Sequence, residues 1–437
     1  MVKELSNPVM SLTEAPVLPA AAPYDPASAP HDQPIRRLTS HGAGPVVAFV
    51  SSYVPRECGI ATFTRDLHTG LDQVRHGQQS LIVAINDPGA EYAYARRVIF
   101  QIDQSDPDSY VEAARYLNRS RVQVVSLQHE FGLYGALRDG QVKADYLLPL
   151  LRELKKPAIT TLHTVLPQPS QSLKTTVREI YELSAATVVM VNMAALILAE
   201  DYGLAKSVPG GPFIMPPKLH TIPHGVPRVE MPRRSYNFKR ALHEENLLAT
   251  FGLISSGKGL EYVIKAMPQI IEQHPNTAYL ILGATHPEVR RREGERYREY
   301  LIELARELGV QRHVRFNNRY LPQSELVAHL KAIDIYITPY LNRHQITSGT
   351  LAYALGAGKA IISTPYLYAQ EALAEGRGLL AEFRSAESIA NCVNQILGTP
   401  GLKEHLQEQA YAYGQEMSWT RVAERYDELI RDVAGYA

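Results

Sequence analysis

The chain has 437 residues, 45% of them hydrophobic, and its 45 basic side chains are balanced by 45 acidic ones. That length suits two domains better than one core, and the charge balance leaves no overall basic footprint for nucleic acid. No apolar run reaches the roughly 20 residues that span a bilayer. The start lacks the basic-then-apolar pattern of a secretory leader. The two cysteines, Cys58 and Cys392, exclude a disulfide framework or a cysteine-built zinc site as the organising principle. The expectation is a cytoplasmic globular protein.

Residues 1–44 are rich in Pro and Ala and show no apolar period, so a disordered or loosely docked tail is expected there. Order is expected from Val46-Val47-Ala48-Phe49-Val50, a short β-branched run bounded by Pro45 and Ser51 that reads as a buried strand. A helix follows from about Gly59 to Gln73, with Ile60, Phe63 and Leu67 on one face. Strands are then expected at Leu81–Ile85, Val122–Leu127, Pro157–Leu162 and Ala186–Val191, with helical stretches between them. Between about Val208 and Arg240 Pro and Gly crowd together, as a linker or loop-rich crossing would have them. The alternation then restarts. Strands are expected at Leu247–Phe251, Ala278–Leu282, Val314–Phe316, Ile333–Ile337 and Ala360–Ser363. Helices are expected at Glu261–Glu272 and, as one charged segment, at Glu288–Leu308. The chain ends in a helix whose apolar stripe is Val422, Tyr426, Leu429, Ile430 and Val433.

Strands alternating with helices imply parallel βαβ units with helices on both faces. The fold class is therefore α/β, in two halves around a proline-rich junction. Ligands of open α/β sheets bind beyond the carboxyl ends of the strands, which makes the space between two such sheets the default site.

Four stretches of candidate chemistry follow expected strands. In Tyr53-Val54-Pro55-Arg56-Glu57-Cys58-Gly59, a glycine at a strand-to-helix turn either lets backbone amides approach an anion or serves an ordinary tight turn. The loop is not a G-x-G-x-x-G, so a dinucleotide fingerprint is absent. His129 and Glu130 lie in Gln128–Gly135, where polar groups directly after an apolar strand must be used or paired. His163 follows Thr160-Thr161-Leu162; it is either a hydrogen-bonded structural histidine or a catalytic one. No H-E-x-x-H pair accompanies His129 and Glu130, so no metal site is expected. In the second half, Gly252 ends a strand, Lys258 stands in Ser255-Ser256-Gly257-Lys258-Gly259, and Thr347-Ser348-Gly349-Thr350-Leu351 opens a helix. A flexible lysine and a Ser-Gly-Thr helix start together suit a diphosphate, although most lysines are simply solvated. The arginines between Arg290 and Arg298 alternate with Glu293, Glu295 and Glu299, which reads as a solvated face rather than a peripheral membrane contact.

In the order and spacing of these segments the chain resembles the retaining GT-B glycosyltransferases of family 4. The similarity lies in Pro55–Phe63, Gln128–Gly135, Thr161-Leu162-His163, Pro223-His224-Gly225-Val226, Phe251–Leu260 and Tyr336–Ile362, and in the closing helix that contains Trp419. The resemblance implies two doubly wound Rossmann-like domains facing a central cleft. Residues 45–228 would form the acceptor side and 229–415 the nucleotide-sugar donor domain, with 416–437 a helix crossing back to the first. It implies that Lys258 holds the donor phosphates and that Ser348, Gly349 and Thr350 form the helix start near the diphosphate. Gly59 matches the glycine loop of the first half, and His163 the histidine facing the donor sugar; His163 and Lys258 are thus the implied catalytic pair. Gly252 and Gln345 join the donor contacts, and His129, Glu130, Arg319, Arg343 and Tyr353 are candidate cleft contacts.

The chain also departs from the family pattern. Leu253-Ile254 stands where an arginine usually precedes the lysine, and the family's pair of glutamates falls on Gln345 and Tyr353. The implied reaction is transfer of a sugar from a UDP-, GDP- or ADP-sugar to a carbohydrate or other hydroxyl acceptor, with no further cofactor and no metal. The alternatives are a nucleotide-sugar-binding or scaffolding protein without catalysis and, more distantly, a phosphorylase or epimerase on the same architecture.

Overall fold

The computed structural model describes residues 44–138, 141–205, 216–229 and 246–436. The expected N-terminal tail, apart from Gly44, lies outside these residues, as do Pro209 to Pro212 and Pro232 of the proline-rich junction. The described chain divides into two units. The first comprises residues 44–228, 344–353 and 414–436, and the second 229–343 and 354–413.

The first unit is built on a seven-stranded parallel sheet. Its strands are β1 (Val47–Ser51), β2 (Leu81–Asn86), β3 (Val98–Asp103), β4 (Val124–His129), β7 (Ala158–Leu162), β8 (Ala186–Val189) and β9 (Leu219–Thr221), in the order β3-β2-β1-β4-β7-β8-β9. The helices between them are α1 (Gly59–Val74), α2 (Pro107–Arg119), α3 (Leu147–Glu153), α4 (Gln171–Leu183) and α5 (Asn192–Glu200). Every residue of β1, β4, β7 and β8 is buried. A parallel sheet covered on both faces has this character, and it explains why these strands read as continuous apolar runs rather than alternating ones.

Four strands of this unit lie outside the sequence expectation. β3 is only partly buried and sits at the sheet edge, so its apolar signal is diluted. β9 is three residues long. A short antiparallel hairpin, β5 (Gly135–Arg138) with β6 (Gln141–Asp145), departs from the βαβ pattern altogether.

The second unit holds a six-stranded parallel sheet in the order β12-β11-β10-β13-β14-β15. Its strands are β10 (Asn246–Phe251), β11 (Thr277–Leu282), β12 (Val314–Asn317), β13 (Ile335–Thr338), β14 (Ala360–Ser363) and β15 (Leu379–Leu380). Its helices include α6 (Leu260–Gln273), α7 (Pro287–Glu293), α8 (Arg296–Glu307) and α9 (Gln323–Ala332). The charged segment expected as one helix over Glu288–Leu308 is two. Gly294 takes φ +65° between α7 and α8, a left-handed conformation that ends a helix. α10 (Gly349–Gly356), which runs from the first unit's residues into the second's, is followed by α11 (Leu367–Ala372), α12 (Ala386–Gly398) and α13 (Leu402–Glu416).

The closing helix α14 (Trp419–Val433) completes the first unit's core. Val422, Tyr426, Leu429 and Ile430 are buried among Phe49, Phe63 and Leu67, with Val433 partly buried against the same cluster. The stripe seen in the sequence is therefore the face that docks. Polar contacts fix its register. The Tyr426 hydroxyl lies 2.9 Å from Thr161 Oγ1. The buried Arg75 guanidinium pairs with Asp427 and donates to the Pro45 carbonyl at 2.8 Å, and Arg431 Nε donates to the other Asp427 oxygen at 2.7 Å. Removing one member of a buried ion pair leaves the other charge uncompensated. Asp427→Ala is expected to destabilise the protein by about 3 kcal/mol in urea unfolding. The double change Arg75→Met with Asp427→Leu, which removes both charges, is expected to recover most of that loss.

Candidate active site

In the first unit the candidate residues gather at the carboxyl ends of β1, β4 and β7. Gly59 is the first residue of α1, and a Cβ added there would meet nothing within 4 Å. Packing therefore does not demand the glycine, and the helix start is open. His129 ends β4 but is fully buried, its Nε2 held at 2.8 Å from Asp145 Oδ2. Glu130 accepts from the Phe131 amide at 2.9 Å and from the Thr164 hydroxyl at 2.8 Å. Burial raises the pKa of its carboxyl, against the opposing pull of the Thr164 hydrogen bond. Both residues are thus tied into the local framework.

His163 follows β7 and donates from Nε2 to Gln128 Oε1 at 3.0 Å. Burial pushes its pKa down to about 3, and the neighbouring His224 and His129 act in the same direction. The imidazole is neutral in the folded protein. Its ring meets the edge of Phe63 at a centroid distance of 4.8 Å.

Phe63 is the hub of a larger cluster. It also packs edge-on against His224 at 5.1 Å and Trp419 at 5.2 Å. His224 is only half-buried by surface area, yet it is enclosed by Phe63, Trp419 and Tyr353. Burial pushes its pKa down to about 4, against the hydrogen bond that its Nδ1 donates to the Gly225 carbonyl at 2.7 Å. That bond sets the tautomer and leaves Nε2 as the acceptor nitrogen. Nε2 lies 3.0 Å from where a Cβ on residue 349 would stand. A side chain there would press on the imidazole, so Gly349 lets the start of α10 pass close to His224. Gly225 is needed for a comparable reason, since a Cβ on it would enter the indole ring of Trp419.

In the sequence His224 is only part of a family-like segment, with nothing local to mark it as a site residue. Its partners lie far away in the chain.

The remaining candidates near α10 are occupied by their own surroundings. Gln345 Nε2 donates to the Thr347 carbonyl at 3.1 Å. Ser348 Oγ accepts from the Leu351 amide at 3.3 Å and stands 3.2 Å from Thr350 Oγ1. The Tyr353 hydroxyl donates to Asp66 Oδ2 at 3.2 Å, while Asp66 Oδ1 accepts from Arg65 Nε at 2.8 Å.

In the second unit Gly252 follows β10 with φ +122°, and its amide donates to the Leu282 carbonyl at 2.9 Å. The next loop forms a single 3₁₀ turn over Ser256–Lys258, and Gly259 takes φ +65° before α6 begins at Leu260. Lys258 Nζ sits 3.8 Å from the centroid of the Tyr340 ring. Arg319 is paired with Glu325, and the Arg343 guanidinium lies 4.3 Å from the ring centre of Phe383. Among the described residues no group of three or more His, Cys, Asp or Glu side chains is arranged to hold a metal ion.

Residues 233–413 match the family described as "Glycosyl transferases group 1". That segment belongs to the group 1 glycosyl transferases. A "D-inositol 3-phosphate glycosyltransferase" of Corynebacterium urealyticum is 28% identical over 206 residues, 46% of this chain and 47% of the relative. A "GDP-mannose-dependent alpha-(1-6)-phosphatidylinositol monomannoside mannosyltransferase" of Mycolicibacterium smegmatis is 28% identical over 149 residues, 33% of this chain and 36% of that one. The matches therefore span about half the length of the curated relatives, or less.

Solved structures extend the likeness of fold to nearly the whole chain. Sucrose-phosphate synthase from Thermosynechococcus elongatus superposes with a TM-score of 0.69 at 16% identity, covering 90% of this chain and 100% of that one. Anabaena HepE in complex with UDP and glucose gives a TM-score of 0.65 at 13% identity, covering 88% and 99%. The fold is that of the GT-B glycosyltransferases, with two parallel-sheet α/β units.

The two lowered histidines carry a consequence for stability. In the unfolded chain a histidine takes a proton near pH 6.5. In the folded protein His163 and His224 resist it down to about 3 and about 4. Stability is then full above about pH 6.5 and falls as the pH drops below it, by roughly 1.4 kcal/mol per pH unit for each residue. Chemical denaturation of the wild type at pH 6 and pH 4.5 measures the slope. His163→Asn and His224→Gln are each expected to reduce it by about one proton.

Proposed function

We propose that this protein is a retaining glycosyltransferase that moves a sugar from a nucleotide-sugar donor to a hydroxyl acceptor. The observation that carries this reading is the Lys258 turn. It lies inside the group 1 segment, directly beyond the carboxyl end of β10, where open α/β sheets take their ligands. Lys258 is assigned to the donor diphosphate. The backbone amides at Ser348, Gly349 and Thr350 are assigned to the same group, since a helix start favours negative charge. Gly252 and Gln345 are assigned to the donor as well, and Gly59 offers a second helix start for an anion. His163 is assigned to the sugar, as a neutral imidazole rather than a charged one. Residues 45–228 are assigned the acceptor side and 229–415 the donor side.

In this reading the acceptor hydroxyl attacks the face from which the nucleoside diphosphate leaves. The proton of that hydroxyl passes to the departing phosphate oxygen. The protein positions the two reactants and stabilises the charge that grows on the phosphate. A UDP-, GDP- or ADP-sugar meets these requirements. GDP-mannose in the name of the Mycolicibacterium relative and UDP in the Anabaena complex support nucleotide sugars as the donor class. The names of the relatives also make inositol-containing acceptors the first to try.

A second reading is a nucleotide-sugar-binding protein without turnover. The engagement of Tyr353 with Asp66 favours it, because that hydroxyl is already used within the protein.

Incubation with UDP-, GDP- and ADP-sugars, read both by thermal stabilisation and by release of nucleoside diphosphate, separates the two. Stabilisation with turnover supports the transferase, and stabilisation without turnover across a broad acceptor panel supports the binding protein. Lys258→Ala is expected to lower transfer by on the order of a hundredfold while leaving the melting temperature unchanged. Full turnover in that variant would remove Lys258 from the reaction.

A further inference from the structure

The second unit holds Lys258 in a more particular way than a solvated lysine requires. Its Nζ lies 3.8 Å from the centroid of the Tyr340 ring, well inside the range of a cation–π contact. Tyr340 is only 1% exposed, and its other neighbours fix it. Its ring stacks on Tyr366 with centroids 5.4 Å apart and planes 16° apart. Its carbonyl accepts from Thr364 Oγ1 at 2.5 Å, and the Thr364 amide in turn donates to the Thr338 carbonyl at 3.1 Å.

The backbone of the lysine turn is fastened to the same segment. The Leu341 amide donates to the Gly257 carbonyl at 3.0 Å. A Cβ on Gly259 would collide with the Pro339 carbonyl, so Gly259 is required both by this approach and by its φ of +65°. Residues 339–341, at the carboxyl end of β13, are thus a bed on which both the turn and its ammonium rest.

We propose that Tyr340 is a positioning residue for Lys258. This inference rests on the assignment of Lys258 to the donor diphosphate. A lysine ammonium is a point charge on a flexible four-carbon stem with three N–H donors. The negative face of the Tyr340 ring engages one side of that ammonium and restricts the stem. The remaining N–H donors stay available to phosphate oxygens. The ring therefore supplies an orienting partner that does not neutralise the charge, as a carboxylate would. It also holds the ammonium in place before the donor arrives.

The test is a double-mutant cycle read by isothermal titration with UDP, GDP and ADP, using whichever binds tightest to the wild type. Tyr340→Leu is expected to weaken that nucleotide about tenfold, the order of a desolvated cation–π contact, with KM for the donor sugar rising in step and kcat changing less. Tyr340→Phe keeps the aromatic face and is expected to bind within about twofold of wild type. In a Lys258→Ala background, Tyr340→Leu is expected to have no further effect, because the ring acts through the lysine. An independent reading uses ¹³C-lysine-labelled protein without nucleotide. The Lys258 ε-methylene protons, assigned by their loss in Lys258→Ala, should be shifted upfield by the ring and return to the ordinary position in Tyr340→Leu.

Equal losses from Tyr340→Leu with and without Lys258 would make Tyr340 a purely structural residue and overturn the inference. So would an unshifted ε-methylene in the wild type. Nucleotide affinity unchanged in Lys258→Ala, or no binding of any of the three nucleotides, would instead overturn the diphosphate assignment itself, and the role of Tyr340 with it.

Discussion

Parallel pairing of strands is the constraint from which the rest of this structure follows. Two parallel strands cannot be joined by a tight turn, so each needs a crossover, here usually a helix, and the helices cover both faces of the sheet. Once that is so, every strand leaves its sheet at the same edge, and the loops that follow β1, β4 and β7, or β10 and β13, are brought side by side. Residues far apart in the chain become neighbours at that edge. The Lys258 turn rests on the Pro339–Leu341 segment because β10 and β13 are adjacent and parallel. His163 reaches Gln128 because β4 and β7 are paired in register, with Gln128 opposite Thr161.

Within that frame the polar groups divide by how far their surroundings commit them. His129 is buried on Asp145, Arg319 is paired with Glu325, and Tyr353 donates to Asp66. These side chains already have partners. Lys258 is different, since its cation rests on an aromatic face that leaves its charge intact. His163 and His224 are held neutral by burial. Neutral imidazoles can offer a polar atom without adding a positive charge.

The C-terminal helix shows how the first unit is completed. Its apolar stripe supplies the buried area, and Asp427 with Arg75 and Arg431 fixes its register. Trp419 stands at its first turn and joins Phe63 and His224. The same helix that closes the core thereby forms one wall of the histidine cluster, so the cluster's geometry depends on the docking of α14.

The central strands, the main helices and the apolar stripe of the last helix were legible in the sequence, because continuous β-branched runs and helical spacing are local patterns set by which faces must leave water. The glycines that mark the Lys258 turn were legible for a similar reason, since positive φ is a local demand. The edge strand β3, the three-residue β9 and the break at Gly294 were not, because partial burial and short length weaken the pattern, and one glycine in a charged helix carries little signal. The residue types of the candidate site could be read one loop at a time. What only the tertiary structure decided was their partners: that Tyr340 lies under Lys258, that Gly349 passes against His224, that Tyr353 turns to Asp66, and that Phe63 joins three rings from three distant segments. Those contacts depend on strand order and on helix docking, and both are settled by long-range burial rather than by any local run of residues.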